Sequence, residues 1–600
     1  MEQLLELARE RKLDRVGATY AVVAWIVVQA ASIALPAFDA PAWALRWLIV
    51  AAMIGFPLIL ALAWLKASRA PATTAARPFE GKDWLLTGLI ALVAVLLIVQ
   101  LALDYSWRRV TPPSGAPSTT VVAASSIAVL PFANLSGDPK KVYFSDGIAD
   151  QLITELAQTP SLRVAARSSS FAFRGKEVDV KTIAKALNVR AVLEGSVRED
   201  GKRVRIAAEL VDAANGFQIW SQSYDRDLTN ILGLQDDIAH AITEAVAQRF
   251  LGHAVVASRT QPKALMIDPE AYKAYLQGQY YFAQRTKEGV LRAIDLFTRT
   301  TVLAPKYADG FAALADAHAT STLDFQTAGG VRAALEAVGK ALALDPDNPT
   351  AIMARATAEL LQWRWRSAAA DIRRLDQLHV STAPAWHMRA IFFDYMGLTQ
   401  FCGAAEERAI QLDPLSFIDH YNLALYRERQ KRYEDAERIA AQAWALQPGN
   451  ADLQQVNVQI ALGNHDMKRA ERILSALVAQ TGENSPYAAA GRFFIFVAKK
   501  DFAAARKFAD SVAKQFPASG ITANDLGIAY AMANDMNTAI MWFRRSVNLH
   551  EPQFLPVEYT NPSPAKLYAD PRWKALRAEP EVRDWENARR EIEAEFQAGE

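Results

Sequence analysis

Three carboxylates, Asp138, Asp146 and Glu155, lie close together in the chain. Such a set can ligate a divalent cation or move a proton. The same residues also fit simpler roles. Asp138 ends the turn-forming run Asn134-Leu-Ser-Gly-Asp138, and Asp146 stands near a helix start, where negative charge complements the dipole. Turn formation and helix capping are therefore expected of them. Arg167-Ser-Ser-Ser170 with Arg174-Gly175 offers cations and hydroxyls to an anion, but its polarity predicts a solvent-facing loop. Trp363-Arg-Trp-Arg366 has the composition of an interface hot spot. It falls at an inter-helix turn just before Ala368, so at least one tryptophan is expected to pack between neighbouring repeats.

The histidines are His240, His253, His318, His379, His387, His420, His465 and His550, none of them paired at the i, i+4 spacing of a metalloprotease helix. They read as scattered surface or core residues. The lone cysteine, Cys402, excludes an internal disulfide and a cysteine metal cluster. No Walker-type phosphate loop occurs. The sequence thus assigns no catalytic, cofactor-binding or metal-ligating residue and implies no cofactor. Lys+Arg number 66 against 65 Asp+Glu, a balance that argues against a chain-wide nucleic-acid footprint.

The elements that carry these residues fall into several domains. In residues 125–252, Ile127-Ala-Val-Leu-Pro-Phe132 is a buried strand and Phe144 to Gln158 an amphipathic helix. Leu162 to Ala166 is a second strand and Val180 to Leu187 a second helix. A meander follows: Ala191 to Arg198, Lys202 to Val211 and Phe217 to Asp225, joined by turns at Asp200-Gly201 and Asn215-Gly216. Val204, Ile206, Ala208 and Leu210 mark its buried face. Ile231 to Phe250 closes the unit as a long helix. The order β-α-β-α-β-β-β-α predicts one mixed sheet with helices packed on it, a small α/β domain. Residues 253–268 read as a linker.

Residues 269–552 carry a repeat. Prolines at repeat ends, Pro305, Pro346, Pro414, Pro448, Pro517 and Pro552, are separated by 41, 68, 34, 69 and 35 residues. A period of 34 is that of the tetratricopeptide helix-turn-helix unit. A small residue recurs in step: Ala293, Ala334, Ala368, Cys402, Ala436, Ala470, Ala505 and Ala539. The two helices of a unit approach closely there, so Cys402 reads as a small buried hydrophobe. About eight units are expected, the second with extra residues in a lengthened turn, Ser321 to Gly330. Residues 553–600 would cap the last apolar face. Stacked units make an all-α solenoid whose concave groove binds proteins or peptides.

The N-terminal segment is different. Val16 to Phe38, Trp47 to Leu65 and Trp84 to Leu103 are free of charge, each about the ~20 residues that cross a bilayer as a helix. Three transmembrane helices are expected, at about 16–38, 44–65 and 84–103, after a short N-terminus, 1–15. Arg9, Arg11, Lys12 and Arg15 precede the first and Lys66, Arg69, Arg77 and Lys82 follow the second, against Arg46 and the pair Arg108 and Arg109 on the other side. The positive-inside rule then predicts a cytoplasmic N-terminus, with everything past a linker, 105–124, across the membrane.

Ser126-Ile-Ala-Val-Leu-Pro-Phe132, Asn134-Leu-Ser-Gly-Asp138, Tyr143-Phe-Ser-Asp-Gly147, Val192-Leu-Glu-Gly-Ser-Val197 and Trp220-Ser-Gln-Ser-Tyr224 resemble the TolB amino-terminal-like (FlgO-like) domain. The resemblance implies a bacterial envelope or signalling protein in which this domain sits between a membrane segment and tetratricopeptide repeats. Relatives of that kind carry a cyclase, a kinase or a CadC-like winged helix, and only about fifteen residues precede the first span here. The expectation is a multi-pass inner-membrane protein, its bulk periplasmic. It would act as a non-enzymatic scaffold or sensor for protein partners. An adenylate cyclase-type signalling subunit and a CadC-like regulator are the alternatives.

Overall fold

The structure is a computed structural model that describes residues 125–599 except 158, 160–161, 177, 252–266, 326, 484, 515–520 and 561–564. The three expected membrane spans, both terminal flanks of that segment and most of the second linker lie outside the described residues. Among the described residues no helix is long and apolar enough to cross a membrane.

The α/β domain is one sheet ordered β3-β1-β4-β5-β6, built from β1 (Ser126–Val129), β3 (Arg163–Val164), β4 (Ala191–Asp200), β5 (Arg203–Asp212) and β6 (Gln218–Asp227), with a short β2 (Ala133–Asn134) beside β4. β1 runs parallel to β3 and β4, and β4-β5-β6 is an antiparallel meander. Gly201, at φ +60°, opens the two-residue loop of the first hairpin, a conformation glycine adopts at little cost. Val204, Ile206, Ala208 and Leu210 point into the core as the alternation requires. Helices α1 (Val142–Ala157) and α4 (Ile231–Val246) cover that face through Phe144, Ile148, Leu152, Ile231, Leu234 and Ile238. On the other face Ile183 and Leu187 of α3 (Val180–Leu187) pack against Ala128, Leu130 and Val192. Two elements were not legible as such: β2, and α2 (Arg167–Phe171), which stands where the sequence predicted a loop.

The rest is helical. α5 (Pro269–Phe282) and α6 (Lys287–Leu303) form the first pair. Then follow α7 (Ala308–Phe325) with α8 (Gly330–Leu344), α9 (Pro349–Leu360) with α10 (Trp365–Gln377), α11 (Ala383–Tyr395) with α12 (Thr399–Leu412), and α13 (Phe417–Arg429) with α14 (Tyr433–Leu446). The last three pairs are α15 (Ala451–Gly463) with α16 (Met467–Thr481), α17 (Pro486–Ala498) with α18 (Phe502–Ala513), and α19 (Ala523–Met532) with α20 (Met536–Asn548). The eight small residues at the recurring position are all fully buried. Two further ladders keep the same step. Asn348, Thr382, Ser416 and Asn450 each cap the first helix of a unit by accepting an amide hydrogen bond from the third helical residue. At the turn inside each of the third to eighth units Trp363, Gly397, Lys431, His465, Lys500 and Asn534 hold φ near +60°, the left-handed conformation that ends a helix. The extra residues of the second unit lengthen helix α7 to Phe325 rather than forming only a longer turn, because its alanine-rich face stays buried along much of its length.

Two features make this more than a domain followed by an open solenoid. First, the sheet core runs without a break into the first repeat: Tyr272, Tyr275, Leu276 and Phe297 belong to the same apolar cluster as Ile127 and Leu152. A Cβ on Gly147 would stand 2.6 Å from Leu276, so glycine permits the close approach of α1 to α5. Two buried hydroxyls in this seam are paired, that of Tyr275 accepting from Gln151 (3.2 Å) and that of Tyr272 from Gln235 (2.7 Å). Second, the C-terminal segment reaches back. It forms α21 (Val557–Thr560), α22 (Ala565–Ala569), α23 (Pro571–Arg577) and α24 (Pro580–Gly599). One core holds Trp573 and Trp585 of this segment, Phe543 of the last repeat, and Trp365, Phe392 and Phe393 of the third and fourth. The tail thus covers the last unit and also ties it to units far earlier in the array.

Candidate functional site

The residues singled out by type and spacing disperse. Asp138 accepts from the Lys140 amide at 2.9 Å and caps a short 3-10 turn. Asp146 is buried and pairs with Arg174 at 2.5 Å. Burial raises its pKa, and Arg174 only partly offsets this. Glu155 is half-buried and pushed up to about 7 by burial, then by the carboxylates of Asp236 and Asp309. Among the described residues these three carboxylates do not converge on one point. The arginines of the expected polar loop are already engaged. Arg167 pairs with Asp150 at 3.3 Å and lies 4.3 Å from the centre of the Phe171 ring, and Arg174 lies over the same ring.

The serines of that segment correct the expectation most. Ser169 and Ser170 are buried, and α2 is docked on the loop between α12 and α13. The Asp413 carboxylate accepts from the Ser169 amide at 3.1 Å and from the hydroxyls of Ser168 and Ser169. The Ser169 hydroxyl in turn accepts from the Leu415 amide at 2.8 Å. Backbone bonds run alongside: Ala166 N–H to the Leu412 carbonyl at 3.0 Å, and Arg163 to the Gln411 carbonyl at 3.0 Å. Burial pushes the Asp413 carboxyl up to about 6, against the opposing effect of the serine hydrogen bonds. The α/β domain is therefore held twice by the repeat array, at the first unit and where the fourth passes into the fifth.

A cleft of about 280 Å³ opens beside this second contact. Glu407, Ile410 and Gln411 of α12 form one wall; His420, Leu423, Arg438 and Gln442 of the fifth unit form the other. The lining is mixed: Ile410, Leu423 and Ile439 sit among charged, imidazole and amide groups.

Trp363 and Trp365 are buried, as packing residues should be. Trp363, however, reaches the distant end of the array, its ring 5.0 Å from that of His550. Arg366 pairs with Asp584 and Glu591 of α24, each at 2.9 Å. Cys402 is buried in the small-residue row, and burial raises its thiol pKa.

One constellation escaped the sequence reading. His387 of α11, Glu406 of α12 and Asp419 of α13 meet between the fourth and fifth units. His387 Nδ1 lies 2.9 Å from Asp419 Oδ1 and 3.3 Å from Glu406 Oε1. Burial would lower the pKa of His387, but Glu406 and Asp419 outweigh it and raise the imidazole to about 10. A usable signal was present: with a 34-residue step, Asp419 falls nearly one repeat after His387, and Glu406 lies one turn beyond Cys402 on the same helix.

Residues 123–241 match the family model of the HilA/YgeH-like transcriptional regulator, second domain. Residues 429–491 match that of the tetratricopeptide repeat. The chain is 36% identical over 209 residues to "Putative adenylate cyclase 3" of Rhizobium meliloti (strain 1021), a stretch covering 34% of this chain and 35% of that one. It therefore spans about a third of the length of that relative. Similar solved structures include the type IV pilus biogenesis factor PilW (14% identity, 37% of this chain and 97% of that one, TM-score 0.31). A tetratricopeptide repeat protein of Parabacteroides merdae is similar at 16% identity, with 43% and 99% covered and a TM-score of 0.33. The chain joins a small sheet domain similar to the second domain of HilA/YgeH-like transcriptional regulators to a tetratricopeptide-repeat array.

Proposed function

We propose that this chain is a membrane-anchored scaffold or sensor of the bacterial envelope, without catalytic activity of its own, that holds a protein or peptide partner on its repeat array. The observation that carries the reading is the stack of tetratricopeptide helix pairs, on which the open cleft between α12 and the fifth unit is one accessible surface. Its wall residue Gln411 also receives Arg163 of the α/β domain. A partner seated there would touch the same end of α12 whose Gln411 carbonyl accepts from Arg163. Repeat arrays bind through such surfaces with no need of catalytic groups. The three uncharged N-terminal stretches and their flanking cations support the anchor and a periplasmic bulk. The TolB/FlgO-like character of residues 125–252 is part of the same proposal.

The test is photo-crosslinking in intact cells from a photoreactive residue replacing Arg438 or Gln442. A discrete protein adduct from both positions is expected. Absence of any adduct from either, with the chain present in the membrane fraction, would remove the reading. A reporter enzyme fused after Glu600 tests the topology, with activity expected only outside the cytoplasm.

A second reading rests on the name of the Rhizobium meliloti relative: a signalling subunit of adenylate cyclase type. Cyclic AMP formation by the purified chain would favour it. A regulator of CadC type is the third reading, supported by the regulator-domain match, and sequence-specific DNA binding would revive it.

A further inference from the structure

We propose that His387, Glu406 and Asp419 form a binding site for one divalent transition-metal ion of the zinc class, joining the fourth and fifth repeats. The argument is independent of the partner reading. The three side chains come from three successive helices, α11, α12 and α13, and their ligating atoms all lie within 4.8 Å of one another. Two ligands about 2.1 Å from a tetrahedral zinc stand roughly 3.4 Å apart. The imidazole nitrogen lies 3.3 Å and 2.9 Å from the two carboxylates, within a few tenths of an ångström to half an ångström of that spacing, and the carboxylate oxygens lie within 4.8 Å of each other.

A second observation points to a ligand. Glu406 is wholly buried, and its Oε2 has no hydrogen-bond partner. Its Oε1 is held by the Asn422 amide at 3.2 Å. An unpaired carboxylate oxygen at a wholly buried position is costly, and a proton on Nδ1, which faces Oε1, leaves Oε2 unpaired. A cation of charge two neutralises both carboxylates and, held by both oxygens of Glu406, also engages Oε2. An imidazole nitrogen with two carboxylate oxygens favours a transition ion over calcium or magnesium, which take oxygen donors. The side chain of His387 is 22% exposed, which gives a path for the ion and for a water as fourth ligand. Asn422, outside the ligand set, orients Glu406 as such partners commonly do.

The full-length untagged chain, stripped with chelator, is titrated with zinc chloride by calorimetry and with cobalt chloride by visible absorption. One equivalent of zinc per chain is expected, with cobalt giving the d–d bands of a four-coordinate site. H387Q and D419N are expected to weaken zinc by 100-fold or more, and N422A by about 10-fold. Failure of the folded wild-type chain to take up zinc would overturn the proposal whatever the variants do. So would wild-type affinity in H387Q and D419N shown to be folded by circular dichroism. If those two variants do not fold, the cobalt spectrum of the wild type decides alone: tetrahedral bands support the site, and their absence refutes it.

Discussion

The Ser169 amide and the Asp413 carboxylate meet at 3.1 Å across 244 residues of chain, and that bond sits at the middle of the second contact between the α/β domain and the repeats. D413A would strand the Ser169 amide and the hydroxyls of Ser168 and Ser169, a loss of about 1–3 kcal/mol concentrated in this seam. The pH dependence has a definite sign. The folded-state carboxyl titrates near 6, above its ordinary value, so the native chain binds more protons than the unfolded chain between about pH 4 and 6. The seam is therefore strongest in acid and weakens as pH rises through that window, by on the order of 2–3 kcal/mol at most. Limited proteolysis across pH 4–7 should show α2 becoming more susceptible with rising pH, and D413N should flatten the trend.

The C-terminal helix separates packing from surface charge. Trp585 is fully buried in the core shared by the tail, the last repeat and the third and fourth. W585A should cost about 3–5 kcal/mol in urea unfolding and loosen the third and fourth units together with the last. Arg366, Asp584 and Glu591 are about half exposed, so R366A should cost less than about 1 kcal/mol despite two ion pairs.

The small-residue row admits little volume. Ala470 is fully buried where α15 and α16 approach, so A470L should destabilise by about 1–3 kcal/mol through overpacking. C402A should cost less than about 1.5 kcal/mol. The native thiol, buried and with its pKa raised, should not react with a disulfide reagent until the chain unfolds.

Equal backbone geometry predicts opposite outcomes at two turns. Lys500 and Trp363 both hold φ near +60°, a conformation that costs a side-chain-bearing residue about 1–2 kcal/mol. Lys500 is exposed, so K500G should stabilise by about 0.5–1 kcal/mol after the entropy lost by glycine is counted. Trp363 is buried beside Trp365 and His550, so W363G should destabilise because lost packing exceeds the relief. Thermal melts of the two variants check both signs.

What the sequence disclosed was whatever repeats or alternates. The step of 34 located the helix pairs, the buried row from Ala293 to Ala539 followed from it, and the alternation of Val204, Ile206, Ala208 and Leu210 oriented the meander. The polar segment Arg167 to Ser170 was misread because its partner, Asp413, lies in another domain, and no local pattern announces a serine that will be buried by a carboxylate 244 residues away. The tail was read as a cap for its neighbour alone. Its second role depends on the curvature of the array, which brings Phe393 to Phe596 at 5.1 Å and which no single repeat encodes. His387, Glu406 and Asp419 belong to an intermediate class. Each looks ordinary alone, yet laying the repeats in register would have brought them together.

The claim beneath these expectations is that the α/β domain is seated on the repeats as part of one body. Hydrogen–deuterium exchange of the full-length chain tests it most directly, at the peptides holding Ala166, Ser169 and Leu415, whose amides are all bonded within that seam. Strong protection of all three, lost together in D413A while the other repeats stay protected, is the predicted result. Exchange of the Ala166 and Ser169 amides at the rate of an open loop, in a wild-type chain whose repeats are otherwise protected, would contradict it.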